Sequence, residues 1–110
     1  KSDAQRFDLK QGAGGVADIE FLVQYLVLLQ AADHPAVIDY PDNIRQLDAL
    51  AEAGCRDPAT IGRLQDIYRG YRQRMHRLAL DRQPAVVAAD EFLDARRFVT
   101  DVWRRTFDVA

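Results

Sequence analysis

The chain has 110 residues with a formal net charge of -2, and 48% of its residues are hydrophobic. This length suits one domain that buries a core without disulfides, and the charge gives no general attraction to nucleic acid or to anionic lipid. The single Cys55, accompanied only by His34 and His76, excludes an internal disulfide and a structural zinc site. This cysteine usage predicts a reducing, cytoplasmic setting. No stretch has the pattern of a signal peptide or a membrane span, and we expect no membrane partner. Because the chain begins at Lys1 without a Met, we also expect a segment of a longer protein.

The first fifteen residues predict an extended arm. Residues 6–10 alternate polar and apolar like a β-strand, and a glycine cluster at Gly12, Gly14 and Gly15 follows. The sequence offers no evident second strand to pair with this segment, and an unpaired strand would expose its backbone hydrogen-bonding groups. The pattern therefore predicts that residues 1–15 belong to a sheet whose other strands lie elsewhere in a longer protein.

A long apolar helix is predicted over residues 16–32, directly after the glycine cluster. Apolar side chains dominate between Ile19 and Leu29 and leave little polar surface, so the pattern predicts a helix buried on all sides. His34, which precedes a proline, is predicted in the loop that follows.

Two further helices are predicted from capping residues and from apolar residues three or four positions apart. Asp42 caps the second helix, and Gly54 ends it. Asp57 followed by Pro58 opens the third helix, which extends to near Asp81. Their predicted buried positions are Ile44, Leu47, Leu50 and Ala51 in the second helix and Ile61, Leu64, Tyr68, Tyr71, Met75 and Leu78 in the third.

A fourth helix is predicted from Ala89 or Asp90 to about Phe107. Short connections between helices favour antiparallel neighbours. The predicted fold class is therefore all-α, a four-helix antiparallel bundle preceded by the strand-like arm. We predict two domains, the arm with its glycine turn at 1–15 and the helical bundle at 16–110.

The glycines before the first helix suit phosphate binding. Gly14 and Gly15 permit close backbone approach, and the helix that begins after them offers unpaired N–H groups and the positive end of its dipole. The same residues also suit a simple turn, which the spacing alone favours. Lys10 could neutralise a phosphate, or it could serve only to prevent aggregation at an exposed strand edge.

Arginine is concentrated on the third and fourth helices, at Arg69, Arg72, Arg74, Arg77, Arg96, Arg97, Arg104 and Arg105. Acidic residues interleave with these arginines, so the pattern is typical of a solvated, salt-bridged face. His76 has no partner four residues away that could form a proton relay, and we expect a structural or a surface histidine rather than a catalytic one. Cys55 has no base near it in the sequence and is expected to be unreactive.

Several motifs together carry a resemblance that covers nearly the whole chain. They are residues 7–12, Gly14-Gly15, 18–21 and 24–28, and further on 42–45, Leu47, Tyr68, Arg72 and 76–80. They resemble the end of the second, adenylylating module of the bifunctional glutamine synthetase adenylyltransferases and the helical segment that follows it. The glycine pair and acid also resemble the uridylyltransferases that modify the PII signalling protein, but those tend to have Arg before the acid, where this chain has Ala17.

The resemblance implies an enzyme that transfers AMP from ATP to a tyrosine of glutamine synthetase and so regulates nitrogen assimilation. It also implies magnesium as the cofactor and glutamine synthetase, PII protein and ATP as partners. Such enzymes hold the triphosphate and two magnesium ions with a Gly-Ser pair and an Asp-x-Asp motif. This chain contains neither motif. We therefore expect it to be inactive alone and to bind no cofactor tightly, because nucleotidyl transfer depends on carboxylate-held metals.

Within this resemblance, Asp18 and Glu20 are the candidate catalytic acids, Asp18 is the candidate metal ligand, and Lys10, Gly14 and Gly15 are the candidate nucleotide-binding residues. Asp18 falls in the first helical turn, where it either complements the helix dipole or organises a metal. Glu20 lies about 200° further around the helix, so the two acids do not face one metal. Asp18 is favoured because the related uridylyltransferases also have an acid there.

A second hypothesis makes the helices a non-catalytic docking module for glutamine synthetase or PII protein, with the faces of the third and fourth helices as the contact surface. A docking bundle has no need of a glycine-acid motif, so the segment from Lys10 to Glu20 favours the enzymatic interpretation.

Overall fold

The computed structural model describes residues 5–30, 42–54 and 56–107. Within these residues it contains, in chain order, β1 (Arg6–Asp8), α1 (Val16–Gln30), α2 (Asn43–Glu52), α3 (Pro58–Leu80), β2 (Val86–Ala88) and α4 (Leu93–Phe107). The predicted fold class, an all-α bundle preceded by an N-terminal arm, is confirmed.

The arm is paired within the chain, so the prediction that its strand has no partner here is wrong. β1 pairs antiparallel with β2, and Phe7 lies opposite Val87. Phe7 and Leu9 are buried in one core cluster with residues of the helices. The sequence does not reveal β2, because three residues are too few to show the alternation of a strand. The domain boundary between residues 15 and 16 stays a prediction.

Helix α1 is buried on one side only, and the prediction of burial on all sides is wrong. Phe21 is 57% exposed and Leu28 is 73% exposed. The helix packs against α2, α3 and α4, and these contacts leave the strip with Phe21 and Leu28 uncovered. The apolar composition of α1 therefore exceeds what this core buries. Its buried residues are Val16, Ile19, Leu22, Val23, Leu26 and Val27.

Capping fixes the starts of α2 and α3 as predicted. The Asp42 carboxylate accepts the Arg45 N–H at 2.9 Å, and the Asp57 carboxylate accepts the Thr60 N–H at 3.1 Å. Each bond satisfies a backbone donor that the first helical turn leaves without a partner. Gly54, with φ of +75°, follows the end of α2.

Helix α4 begins at Leu93, three residues or more after the predicted start. The Ala89 N–H donates to the Gln5 carbonyl oxygen at 3.0 Å and so continues the pairing of the arm with the β2 segment. Phe92 then has φ of 65°, a left-handed conformation that does not occur inside an α-helix. The helix therefore starts only after Ala89 has paired with the arm and Phe92 has completed a turn.

Aromatic packing connects the arm, α3 and the turn before α4. The Tyr71 ring lies with its centroid 5.7 Å from that of Phe7 and 5.1 Å from that of Phe92, and both pairs have edge-to-face geometry. Such pairs add stabilisation beyond the apolar area they bury. Tyr71 is completely buried, and its hydroxyl contacts the Gly14 carbonyl oxygen. The middle of α3 therefore lies directly beneath the glycine turn.

Candidate functional site

The glycine turn is built by close contacts that exclude larger side chains. Gly14 has φ of +80°, and a Cβ there would lie 2.7 Å from the Arg96 carbonyl oxygen. A Cβ on Gly15 would lie 2.6 Å from the Leu9 carbonyl oxygen. Both glycines are therefore required by packing against neighbouring backbone, whatever else they do.

Backbone donors at the start of α1 are used within the chain. The Gly15 N–H donates to the Gly12 carbonyl oxygen at 2.9 Å, and the Val16 N–H donates to the Leu9 carbonyl oxygen at 2.8 Å. The Ala17 N–H donates to the carbonyl oxygen of Lys10 at 2.9 Å. A phosphate at this helix end would have to compete with these bonds, so the phosphate-binding role of Gly14 and Gly15 stays a prediction.

Asp18 closes the same turn. Its Oδ2 accepts the Gly14 N–H at 2.7 Å, and its side chain is half-buried. This distance is at the short end of the range for an N–H donor and an oxygen acceptor. Asp18 therefore fixes Gly14 in its left-handed conformation, and this bond is compatible with a further ligand on the other carboxylate oxygen.

Glu20 contacts a different part of the molecule. Its Oε2 accepts the hydroxyl hydrogen of Tyr68 at 2.9 Å. The Tyr68 oxygen also accepts from Asn43 Nδ2 at 3.2 Å and, at 3.4 Å, from Arg72 Nη1. Burial, and then the hydrogen bond to Glu20, raise the pKa of Tyr68. Asp18 and Glu20 thus serve separate hydrogen-bond networks.

Tyr71 belongs to the site although its spacing in the sequence indicates only a core residue. Its hydroxyl donates to the Gly14 carbonyl oxygen at 2.8 Å, so Gly14 is held by Asp18 through its N–H and by Tyr71 through its C=O. Burial raises the pKa of Tyr71, the charge of Arg96 opposes this, and the charge of Asp18 adds to it. No local pattern could reveal this contact, because it joins residues 57 positions apart.

Arg96 is a second residue whose role the sequence does not indicate. Its guanidinium lies 4.2 Å from the Phe7 ring centroid, and its nitrogens donate to the carbonyl oxygens of Ala13 at 3.3 Å and Ala89 at 3.1 Å. Arg96 therefore clamps the glycine turn to the arm, and it is not part of a solvated salt-bridged face.

Three other arginines form the ion pairs that this expectation implies. Exposed ion pairs join Arg69 to Asp66 at 3.4 Å and Arg105 to Asp101 at 2.8 Å. Arg74 pairs with Glu91 at 2.6 Å, and this hydrogen bond raises the pKa of the guanidinium.

Lys10 lies at the edge of an open groove between the arm and α3. The groove has a volume of about 510 Å³ and is lined by Lys10, Arg72, Met75, His76, Ala79, Gln83 and Ala85. The lysine side chain is exposed, as is that of His76. Lys10 and His76, which are distant in sequence, therefore share one surface.

A complete metal site is not formed by the residues that the structure describes. Nowhere among them do three or more His, Cys, Asp or Glu side chains come together in a way that could hold an ion. Asp18 brings one carboxylate to the glycine turn, and Glu20 is engaged with Tyr68. These residues do not by themselves fit a pair of magnesium ions, which are bound by carboxylates together with substrate phosphates. The interpretations of His34 and Cys55 concern positions outside the described residues.

None of the helices in the described part of the chain is both long and apolar enough to cross a membrane.

Comparison with known proteins gives the family. The profile of the family described as GlnD PII-uridylyltransferase matches residues 1–102. Over 106 residues, or 96% of the chain, it is 49% identical to the bifunctional glutamine synthetase adenylyltransferase/adenylyl-removing enzyme of Thioalkalivibrio sulfidiphilus (strain HL-EbGR7), of which it covers 11%. It is 46% identical over 98 residues to the protein of the same name in Pseudomonas aeruginosa, with 89% of the chain and 10% of that protein aligned.

A similar match, 38% identity over 106 residues, is found to the protein of the same name in Mannheimia succiniciproducens. The chain thus spans about a tenth of the length of these curated relatives. The resemblance to glutamine synthetase adenylyltransferases that the motifs indicate is confirmed, and the chain belongs to the GlnD PII-uridylyltransferase family.

Proposed function

We propose that this chain is part of an enzyme that transfers AMP from ATP to a tyrosine of glutamine synthetase and thereby regulates nitrogen assimilation. The observation that carries this proposal is the identity of 46–49% over nearly the whole chain to adenylyltransferases of that name. Because the chain spans only a tenth of those relatives, the activity belongs to the longer protein and the chain alone is inactive. Within that protein it follows the sheet of the second, adenylylating module.

The turn from Lys10 to Asp18 is the part of the chain that we assign to the active site. Asp18 contributes one carboxylate to magnesium and is the first candidate for a catalytic acid. Glu20, bonded to Tyr68, contributes indirectly by fixing α1 against α3. The remaining metal ligands and the Gly-Ser pair come from other parts of the longer protein. Lys10 faces the phosphates of ATP, and Gly14 and Gly15 allow the backbone of the turn to approach these phosphates closely.

Glutamine synthetase is the protein substrate in this proposal, and PII protein is the regulatory partner. Both are encountered in the cytoplasm.

A docking role is the second candidate, and the exposed arginines on α3 and α4 favour it. Arg72 and Arg97 are exposed, and neither is joined to a carboxylate by an ion pair in the described part of the chain. Arg97→Glu tests this role on α4, at a surface that Arg97 shares with Ala13 and that is separate from the groove lined by Lys10 and Arg72. A docking role predicts weaker binding of glutamine synthetase or PII protein with unchanged affinity for ATP, and unchanged protein binding excludes it for this face.

The test of the main proposal is a transfer assay with the longer protein and two labelled donors. ATP labelled in its α-phosphate is supplied with purified glutamine synthetase, and UTP labelled in the same position is supplied with PII protein. Incorporation of AMP into glutamine synthetase, without incorporation of UMP into PII protein, is the expected result. UMP transfer to PII protein instead would overturn the proposal and assign the chain to a uridylyltransferase.

A further inference from the structure

The groove between the arm and α3 is lined by cationic and donor side chains from three separate parts of the chain. Lys10 comes from the turn after β1, Arg72 and His76 from successive turns of α3, and Gln83 from the segment before β2. Its other lining residues are Met75, Ala79 and Ala85, so no carboxylate lines it. The concave surface therefore combines positively charged side chains with the apolar side chains of Met75, Ala79 and Ala85.

Within the described residues, the cations of this groove form no ion pair. Ion pairs there involve Arg69, Arg74 and Arg105, and none of these includes Lys10, Arg72 or His76. Two acids lie close to the lining residues in sequence: Asp81, between Ala79 and Gln83, and Asp8, whose Oδ1 accepts the N–H groups of Lys10 and Gln11 at 2.9 and 3.0 Å. Exposed cations that share one concave wall and form no ion pair there attract an anion.

Arg72 is held in place by Tyr68. The guanidinium carbon lies 5.7 Å from the Tyr68 ring centroid, and Nη1 lies 3.4 Å from the hydroxyl oxygen. The same hydroxyl donates to Glu20 on α1. Stacking and a hydrogen bond restrict a long side chain that would otherwise sample many rotamers, which lowers the entropic cost of binding.

We propose that the groove formed by Lys10, Arg72, His76 and Gln83 binds the phosphate chain of a nucleotide. Its volume of about 510 Å³ lies in the range of small-molecule sites. Arg72 offers a planar fork, Lys10 a point charge, and His76 and Gln83 further N–H donors, a set that suits several phosphoryl oxygens. The assignment to ATP, as distinct from phosphate chains in general, rests on the proposed function.

The test is an isothermal titration calorimetry experiment in which inorganic tripolyphosphate, ATP and adenosine are each titrated into the 110-residue chain. Arg72→Gln and Lys10→Gln are the test variants, and Arg77→Gln is the matched control, because it removes the same charge from the same helix outside the groove. All three residues are exposed, and circular dichroism of each variant verifies that the helices are retained.

Tripolyphosphate and ATP are expected to bind with similar affinity, and adenosine is expected not to bind. Arg72→Gln and Lys10→Gln should each raise the dissociation constant about fivefold, the upper end for an exposed charge pair, and Arg77→Gln should change it less than about twofold. The double variant should show roughly a 25-fold loss if the two contributions multiply. Binding should weaken as salt is added.

Two results would overturn the proposal. One is the absence of saturable tripolyphosphate binding. The other is a loss of affinity for Arg77→Gln as large as that for Arg72→Gln, which would mean that the ligand is attracted only by the net charge of α3. Failure here is separable from failure of the proposed function, because AMP transfer to glutamine synthetase by the longer protein is measured independently. Transfer without phosphate binding in this groove refutes only the groove.

Discussion

The hydroxyl of Tyr71, in the middle of α3, donates a hydrogen bond to the carbonyl oxygen of Gly14 over 2.8 Å, and both residues are buried. The N–H of Gly14 is held by Asp18, whose carboxylate accepts it. The conformation of the turn at the start of α1 is therefore set from two directions, by a residue 57 positions away and by one in the following helical turn.

Tyr71→Phe tests the first of these bonds. The substitution keeps the ring against Phe7 and Phe92 but leaves the buried Gly14 carbonyl without its partner. We expect a loss of about 1–3 kcal/mol in the free energy of unfolding, measured by urea denaturation of the chain. Tyr25→Phe is the control, since no hydrogen bond of the Tyr25 hydroxyl is found in the described residues, and it should cost less than about 0.5 kcal/mol. Equal losses in the two variants would show that the bond to Gly14 contributes nothing.

Stability should fall at alkaline pH because of the buried tyrosines. The pKa values of Tyr68 and Tyr71 are both raised above their usual value of 10.0 in the folded chain, mainly by burial. Above that pH the unfolded chain releases protons that the folded chain retains, so stability is complete below about pH 10 and declines as the pH rises toward the folded-state pKa values. A single such group contributes at most about 1.4 kcal/mol per pH unit.

The measurement is the difference in unfolding free energy between the wild type and Tyr71→Phe at about pH 8 and about pH 11. The difference should narrow at the higher pH, because only the wild type loses the contribution of Tyr71. A difference that stays constant or widens would contradict the assignment of a raised pKa to this residue.

Gly14→Ala and Gly54→Ala separate backbone strain from steric exclusion. Both glycines have positive φ, +80° and +75°, but a Cβ at Gly14 meets the Arg96 carbonyl oxygen at 2.7 Å and a Cβ at Gly54 meets nothing within 4 Å. Gly54→Ala should therefore cost about 1–2 kcal/mol for the left-handed conformation alone. Gly14→Ala should cost at least about 3 kcal/mol, because the backbone of α4 must also shift. Thermal unfolding of the two variants measures the difference, and equal costs would mean that the turn can open without penalty.

Arg96→Ala and Arg97→Ala compare neighbouring arginines with different surroundings. Arg96 stacks on Phe7 and donates to two backbone carbonyl oxygens, whereas Arg97 is exposed. We expect Arg96→Ala to destabilise the chain by about 1–3 kcal/mol and Arg97→Ala by less than about 0.5 kcal/mol, measured by urea denaturation. A smaller loss for Arg96→Ala than for Arg97→Ala would remove Arg96 as the clamp of the glycine turn.

Local signals predict the helices of this fold well. Asp42 and Asp57 cap α2 and α3, and Pro58 is the first residue of α3, because these residues act on the backbone within one turn. The strand β2 and the late start of α4 are not predictable in the same way. The three residues of β2 are a strand because Arg6–Asp8 pairs with them, and this pairing across about 80 positions leaves no periodic signal.

The candidate site likewise contains residues that a local motif predicts and residues that only long-range contacts reveal. The candidates Lys10, Gly14, Gly15, Asp18 and Glu20 all lie in one short segment, residues 10–20, so its resemblance to a family motif selects them. Tyr71 and Arg96 complete the turn through contacts between distant residues, and in sequence they look like a core tyrosine and a surface arginine. The exposure of Phe21 and Leu28 has the same origin, since composition cannot show which side of α1 the other helices cover.

The most direct test of the proposed function is AMP transfer to glutamine synthetase by the longer protein carrying Asp18→Asn, compared with Asp18→Ala and the wild type. Asparagine retains an oxygen that can accept the Gly14 N–H but removes the charge that a metal requires. We predict a loss of at least about 100-fold in transfer for Asp18→Asn, with thermal unfolding close to that of the wild type. Near-normal transfer by Asp18→Asn, with destabilisation confined to Asp18→Ala, would show that Asp18 only holds the turn and would contradict its assignment to the active site.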